Sequence, residues 1–418
     1  MVQAQLSSPA EQRIVRAVDA GNTQALALLE KVVNINSGSH HLPGVKAVGD
    51  VFRAEFDALG FRTTWVDGAA WKRAGHLIAD HPGPGPRILL IGHLDTVFEP
   101  ESPFQKFQRI GDKTAKGPGI IDMKGGDVII VAALKALNVA DLLRDLNVIV
   151  VMTGDEEDTG EPQALARAAL VEAAKGAKYA IGYEDGPGDP RYAVTARRGT
   201  SSWKLEVTGT PAHSSQIFRS DIGYGAVFEA ARILDGFRQK LAGEEHLTFN
   251  PSVIVGGTLV SMDDPLSHGT ASGKTNVVPE HASVLGDLRT VSKDQLQHAR
   301  ETMKSVAANS LPHTSAKLTF EDGYPSLPPG PGNARLLAMY DQASRDLGFG
   351  PVAAVSPDRA GAADVSFVSD EVPAIIDGVG LMGHDDHTAG ETADLSTLPS
   401  QTKRSAVLLY RLSHAQDR

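Results

Sequence analysis

Apolar residues recur along this chain with two different periods, and the way the periods alternate predicts the architecture. From about Pro9 to Val33, Ile14, Val15, Val18, Leu26, Leu28, Leu29, Val32 and Val33 fall at helical spacing, with Gly21-Asn22 expected to break the helix. A second amphipathic helix is expected from Val45 to Leu59, stopped by Gly60. Phe61 to Val66 and Gly75 to Ala79 read as strands, and Pro82-Gly-Pro-Gly-Pro86 is a stiff turn into the next one. Arg87-Ile-Leu-Leu-Ile-Gly92, Asn147-Val-Ile-Val-Val-Met152 and Lys178-Tyr-Ala-Ile-Gly-Tyr183 are continuous apolar runs of strand length, with an apolar helix, Val128 to Leu137, between the first two. Strands alternating with helices predict an α/β domain whose sheet is covered on both faces.

Past the Gly/Pro-rich passage Asp185-Gly-Pro-Gly-Asp-Pro190 the texture changes. Ser201 to Val207 alternates, Pro251 to Val255, Ala282 to Leu288 and Ala316 to Phe320 are strand-like, and Tyr224 to Leu241 and Gln295 to Leu311 are helical. Strands with two helices predict an α+β unit inserted between two parts of the first domain. Tyr324-Pro-Ser-Leu-Pro-Pro-Gly-Pro331 leads back out, and helices near Ala334 to Leu347 and Pro399 to Ser413 complete the first domain. The expected division is 1–196 and 321–418 for that domain, with 197–320 for the insert.

Composition narrows the function. With 418 residues, 41% of them hydrophobic, the chain can bury a large core. A formal charge of -11 without a basic run argues against nucleic acid or an anionic membrane as partner, and no apolar stretch approaches a membrane span. The start Met1-Val-Gln-Ala-Gln-Leu-Ser-Ser-Pro9 has no positive region followed by an apolar core, so it does not read as a signal peptide. A polar start also suits a chain from which a signal has been removed, so cytoplasmic, periplasmic and secreted compartments all remain open. The absence of cysteine excludes disulfides and thiolate ligands together.

The candidate chemistry sits where the apolar runs end. The first runs into His93-Leu-Asp95, the second into Thr153-Gly-Asp-Glu-Glu-Asp-Thr-Gly160, the third into Glu184-Asp185. In open α/β sheets ligands bind outside the carboxyl ends of the strands, so His93, Glu156, Glu157 and Glu184 are expected on one rim. A lone acidic loop is ordinarily just solvated; three strand ends converging is the stronger signal. Glu156 and Glu157 are adjacent, and on an extended backbone they would point apart and take different roles. Asp122, before the Val128 helix, reads equally as a helix N-cap or a ligand. Gly117-Pro-Gly119 lacks the spacing of a nucleotide-binding loop.

His93, Asp122, Glu157, Glu184 and a histidine from the pair His384/His387 make a plausible donor set for two divalent ions bridged by Asp122. Imidazole with carboxylate suits Zn2+, with Co2+ and Mn2+ as substitutes. Two such ions can acidify a shared water and polarise a carbonyl. Glu156, kept off the metals, would take the water's proton and pass it to the leaving amine. Asp95, two residues beyond His93, could orient its imidazole.

Gly92-His-Leu-Asp-Thr96, Gly117-Pro-Gly-Ile-Ile-Asp-Met-Lys-Gly-Gly126, Asp155-Glu-Glu157, Tyr183-Glu184 and His387-Thr-Ala-Gly-Glu391 resemble, in order, the motifs of the dinuclear zinc metallopeptidases that include glutamate carboxypeptidase, aminoacylase and succinyl-diaminopimelate desuccinylase. The bacterial glutamate carboxypeptidase branch is the most similar. The resemblance implies a mixed-sheet α/β catalytic domain with an inserted α+β lid that dimerises. Carried over, it makes His93, Asp122, Glu157, Glu184 and His387 metal ligands, Glu156 the general base and Asp95 the support of His93. The spacing to Glu391 selects His387 over His384. In the insert, Gly209-Thr-Pro-Ala-His-Ser-Ser215, Thr275-Asn-Val-Val-Pro279 and Gly286-Asp-Leu-Arg289 resemble lid motifs that reach the neighbouring subunit's site. There His213 and Asn276 would stabilise an oxyanion and Arg289 would grip a substrate carboxylate. Without the resemblance these three read as a turn histidine, a turn asparagine and a surface arginine. Gly361-Ala-Ala-Asp364 occupies the place of the family's glycine-rich substrate loop but departs from its Gly-Gly-Thr-Asp.

The expectation is therefore a homodimeric dizinc hydrolase that cuts an amide or peptide bond beside a free carboxylate in a small peptide or N-acyl amino acid. An aminopeptidase or dipeptidase of the same family is the enzymatic alternative. A catalytically inactive binding relative is the alternative of a different class.

Overall fold

The computed structural model describes residues 8–263 and 267–415, and the chain divides into two compact units. One comprises the described residues up to Ala196 and from Pro329 onward; the other is Arg197–Pro328.

In the first unit, α1 (Pro9–Val33) is one continuous helix, which corrects the break expected at Gly21-Asn22. A mid-helix glycine costs only about 1 kcal/mol relative to alanine. One face of α1 buries Ile14, Val18, Leu28, Leu29, Val32 and Val33, which outweighs that cost. Helix α2 (Leu42–Ala58) is followed by the antiparallel pair β1 (Arg62–Asp67) and β2 (Gly75–His81). Then come β3 (Arg87–His93), the short β4 (Gln108–Arg109) and β5 (Thr114–Lys116), α3 (Lys124–Val139) and β6 (Asn147–Thr153). Next are α4 (Gln163–Ala174), β7 (Tyr179–Gly182) and β8 (Tyr192–Ala193). The sequence pattern does not announce α4. Its buried face is Ala166, Arg167, Leu170, Ala173 and Ala174, so a single large aliphatic side chain marks the period.

The second unit runs β9 (Gly199–Gly209), α5 (Gly225–Leu241), β10 (Thr248–Gly257), β11 (Leu259–Asp263), β12 (His268–Ser272), β13 (His281–Thr290), α6 (Lys293–Ala308) and β14 (Thr314–Asp322). Its antiparallel sheet has the order β10-β13-β9-β14. Trp203, Leu205, Val207, Val284 and Leu288 alternate onto one face and pack with Ile233 and Phe237 of α5 and Met303 of α6. The hairpin of β11 and β12 was not expected, because its strands are mostly exposed and carry no apolar alternation strong enough to read.

The chain returns to the first unit with α7 (Pro331–Asp346), β15 (Ala353–Ala354), β16 (Ile375–Ile376), β17 (Gly383–His384), β18 (Thr392–Asp394) and α8 (Thr397–Ser413). The main sheet has the order β1-β2-β6-β3-β7-β16, parallel from β6 to β16 and antiparallel at β1 and β2. The mixed α/β fold is thus the one expected. Ile88 and Leu90 enter the large core shared with α1, α2, α3 and α8, while Leu89 and Ile91, pointing the other way, are equally buried. Both faces are covered, which is why these strands read as unbroken apolar runs.

Candidate metal centre

Parallel pairing of β3 with β6 and β7 puts their carboxyl ends on one rim, with His93 opposite Thr153 and Ile91 opposite Gly182. His93 ends β3, the acid loop starts just past β6, and Glu184 follows β7. A second, smaller sheet brings in the rest. Its order is β17-β18-β5-β4, so the hairpin loop between β17 and β18, which carries His387, is tied through β18 to β5. The loop to Asp122 starts where β5 ends. One backbone pairing, Thr392 with Lys116 through Asp394 with Thr114, therefore joins segments far apart in the chain.

Asp122 stands at the middle of the cluster, and its two oxygens face opposite ways. Oδ1 lies 3.0 Å from Nε2 of His93, and Oδ2 lies 2.9 Å from Nε2 of His387. Glu184 Oε1 is 3.6 Å from the His93 nitrogen, and Glu157 Oε2 is 3.1 Å from that of His387. Each imidazole thus has one terminal carboxylate of its own and one oxygen of Asp122. Donor atoms of His93, Asp122 and Glu157 lie within 4.8 Å of one another, as do those of Asp122, Asp386 and His387. His384 belongs to neither group; it is exposed in β17, paired with Thr392. Asp386 was not singled out from the sequence, where it looks like one more polar loop residue. Asp122 does not cap α3: the helix starts at Lys124 without a side-chain cap.

Three further buried acids hold the loops that carry these donors, each by accepting backbone N–H groups. Asp95 accepts from Glu156 N at 3.0 Å, Glu157 N at 3.1 Å and Ser39 Oγ at 2.6 Å. It also takes part in orienting His93, whose Nδ1 lies 3.1 Å from the Asp95 carbonyl and 3.4 Å from its Oδ1, which leaves Nε2 for the cluster. Glu391, fully buried, accepts from Gly119 N and Ile121 N at 2.9 Å and Asp122 N at 3.2 Å. Asp377 accepts from Glu184 N at 3.3 Å and Gly378 N at 2.7 Å. The acid loop is bent rather than extended, so turn geometry, not strand pleating, separates Glu156 from Glu157. Sequence reasoning missed Asp377 and used Glu391 only as a spacing mark. The available signal was an acid at the end of a short apolar run, Ala374-Ile-Ile-Asp377.

The electrostatics describe a site short of positive charge. Burial lifts Glu156 and Glu184 well above the usual carboxylate range, opposed by His93 and reinforced by Asp122. Burial and the Asp122 charge push Glu157 up to about 7. Hydrogen bonds to Asp122 and Glu157 push His387 up to about 11. Burial disfavours the His93 cation, yet Glu184, Asp122 and Asp95 together hold its pKa well above normal. Acids that resist ionising beside imidazoles that resist losing a proton are what cations on the same lone pairs would relieve. The donors are nitrogen and oxygen only, a set suited to Zn2+, Co2+ or Mn2+.

In the second unit, His213 and Asn276 lie on adjacent exposed strands of chain: Ser214 N donates to Asn276 O at 2.9 Å and Val278 N to Ala212 O at 2.8 Å. His213 Nδ1 accepts from Ser215 N at 3.3 Å, so the neutral ring carries its proton on Nε2. Arg289, half-exposed on β13, donates from Nε to Asp287 Oδ2 at 2.9 Å.

Residues 89–411 match the model of Peptidase family M20/M25/M40. Carboxypeptidase G2 of Pseudomonas sp. (strain RS-16) is 26% identical over 396 residues, which cover 92% of this chain and 88% of that protein. Among solved structures, aminopeptidase PepT from Bacillus cereus matches with a TM-score of 0.74 at 17% identity, over 94% of this chain and 98% of its own. The YXEP protein of Bacillus subtilis, a dinuclear metal binding peptidase from the M20 family, matches with a TM-score of 0.66 at 17% identity, over 95% and 100%. Those two likenesses bear on the fold, whereas the family match spans the strand ends, the acid loop and the His387 hairpin. The chain therefore belongs to Peptidase family M20/M25/M40 and is a metal-dependent peptidase or amidohydrolase.

Proposed function

We propose that the protein hydrolyses an amide or peptide bond adjacent to a free carboxylate, as a carboxypeptidase or N-acyl-amino-acid amidohydrolase does. The observation that carries this reading is the two-sided Asp122, with one imidazole and one terminal carboxylate on each side. His93, Glu184 and one oxygen of Asp122 would hold one zinc ion; His387, Glu157 and the other oxygen would hold the second. Bound there, the pair supplies Lewis acidity toward water and the scissile carbonyl.

The chain's own residues do the rest. Glu156 is the general base: its carboxylate, kept basic by burial, takes a proton from the attacking water and delivers it to the leaving nitrogen. Asp95 keeps Glu156 and Glu157 in place through their backbone N–H groups. His213 and Asn276 donate to the developing oxyanion and Arg289 takes the substrate carboxylate, in a homodimer where the 197–328 unit serves the neighbouring subunit's site. Carboxypeptidase G2 as a relative supports the carboxylate-directed reading over the aminopeptidase one.

The test is a panel of N-acyl amino acids and dipeptides, each with its C-terminal amide, on enzyme loaded with Zn2+ and then chelated. Free acids should be cleaved and amides spared, with activity lost on chelation. Zinc uptake at neutral pH should also release protons, because the hydrogen bonds to Asp122 and Glu157 keep His387 protonated in its absence. Preference for free N-termini regardless of the C-terminal group would instead establish an aminopeptidase. Two bound ions with no turnover would establish an inactive relative.

A further inference from the structure

Beneath the acid loop lies a buried ionic network that the proposed chemistry leaves unused. Arg167 of α4 is 2% exposed, Asp155 0% and Asp364 2%. The Arg167 guanidinium donates from Nη1 to Asp155 Oδ1 at 2.6 Å and from Nη2 to the Asp155 carbonyl at 2.9 Å. Nη2 also reaches Thr159 Oγ1 at 3.1 Å, and Nε donates to Asp364 Oδ1 at 2.8 Å. The other oxygen of Asp364 accepts from Thr153 Oγ1 at 2.6 Å, and Asp155 Oδ2 accepts from Gly160 N at 3.0 Å.

The placement of these bonds is what matters. Asp155 and Thr159 bracket Glu156 and Glu157, so a single planar cation grips the loop on both sides of the two acids. Its third attachment, Asp364, closes the segment Gly361-Ala-Ala363. Ala363 and Asp364 border the same small void as His93 and Glu184. Arg167 thus spans from the Glu156/Glu157 side of the cluster to the His93/Glu184 side. Lysine could not do this, since an ammonium is a point donor and the network needs a fork with fixed directions. His76 completes the cradle: Nδ1 accepts from Gly154 N at 3.1 Å, and Nε2–H donates to Ala166 O at 2.6 Å, which couples the loop to the turn of α4 just before Arg167.

We propose that Arg167 is a positioning residue whose fork holds the Asp155–Thr159 loop and the Asp364 segment in one geometry and so sets where Glu156 and Glu157 stand. Asp364 is its anchor, not a substrate contact, since both its oxygens are engaged within the protein. This rests on the reading of Glu156 as base and Glu157 as metal ligand.

Arg167→Lys keeps the charge and loses the fork; Asp364→Asn keeps the shape and loses the charge. In Arg167→Lys, affinity for one of two Co2+ ions should fall ~10–100-fold and kcat at saturating Co2+ by a similar factor, with KM within about twofold of wild type. Asp364→Asn should show smaller losses in the same direction, and the double variant should lose less than the product of the two, since both act through one crossbar. A folded Arg167→Lys with wild-type Co2+ binding and turnover would reduce Arg167 to a stabiliser of the fold, and losses that multiply would separate it from Asp364; either overturns the proposal. If Arg167→Lys does not fold, Asp364→Asn decides by the same two readouts. Should wild-type enzyme with two bound Co2+ cleave nothing in the substrate panel, the functional reading fails, and the Co2+ isotherm alone judges Arg167.

Discussion

The two units carry their candidate functional residues in opposite ways. In the first, the donors lie within a few ångströms of one another, and buried acids and Arg167 hold the loops that present Asp122, Glu156, Glu157 and Glu184, while His387 comes in from an exposed hairpin loop. In the second, His213 and Asn276 are exposed, and the half-exposed Arg289 is braced by Asp287 two residues away on its own strand. A site that must hold charged ions at fixed spacing needs its geometry complete before anything binds, because like charges crowded together repel unless their backbones are held. Residues that meet a substrate need only be presented. On the proposed reading, metal binding and proton transfer belong to the first unit and contacts with the substrate and its oxyanion to the second, a division that can be broken experimentally.

The largest effect is expected in the first unit. Glu156→Gln should keep both metals and lose ~10²–10⁴-fold in kcat, the contribution of a general base. Glu157→Gln should instead lose a metal. Metal content and rate measured on both variants decide between them, and the reverse pattern would exchange their roles. For Arg289 in the second unit the expected effect is smaller and selective. Arg289→Lys should cost free-acid substrates ~1.5–3 kcal/mol in kcat/KM, the value of a charge-assisted hydrogen bond, and leave their amides nearly unchanged. Equal losses on acids and amides would make Arg289 structural.

The partial recovery expected on mixing two inactive variants is the most diagnostic test of the shared site. If His213 serves the neighbouring subunit, Glu156→Ala and His213→Ala homodimers are each nearly inactive. A mixed dimer then has one site built from the His213→Ala chain's core and the Glu156→Ala chain's intact lid. Random reassociation of equal amounts makes about half the dimers mixed, each with one working site of two, so activity should return to roughly a quarter of wild type. Mixed dimers verified by mass that stay as dead as their parents would confine His213 to its own chain.

Much of the first unit was legible in the sequence. Runs such as Ile88 to Ile91 and Val148 to Met152 are apolar on both faces because both faces are covered, and the acids that follow them lie at strand ends by necessity. The α+β texture of the insert was legible for the same reason: residues 201–207 alternate because one face of their strand is wet. What escaped were features with no local period. Helix α4 turns alanines and Arg167 inward, and Asp377 and Glu391 look in sequence like any loop acid.

The sequence by itself determined where strands stop and which donors stand at their ends, because hydrophobic period and motif spacing are properties of neighbouring residues. Tertiary structure decided how those donors face one another. Asp122 was as good an N-cap as a ligand until the pairing of β5 with β18 carried the His387 hairpin to its second oxygen. Apart from the family spacing to Glu391, His384 and His387 are equivalent as letters; the strand keeps the first at the surface, and the left-handed turn at Asp385 and His387, with φ of 63° and 58°, swings the second onto Asp122 and Glu157. The buried acids that brace the loops were decided there too. A carboxylate becomes a brace only when folding removes its water and leaves backbone N–H groups as its partners, and no pattern along the chain records where that will happen.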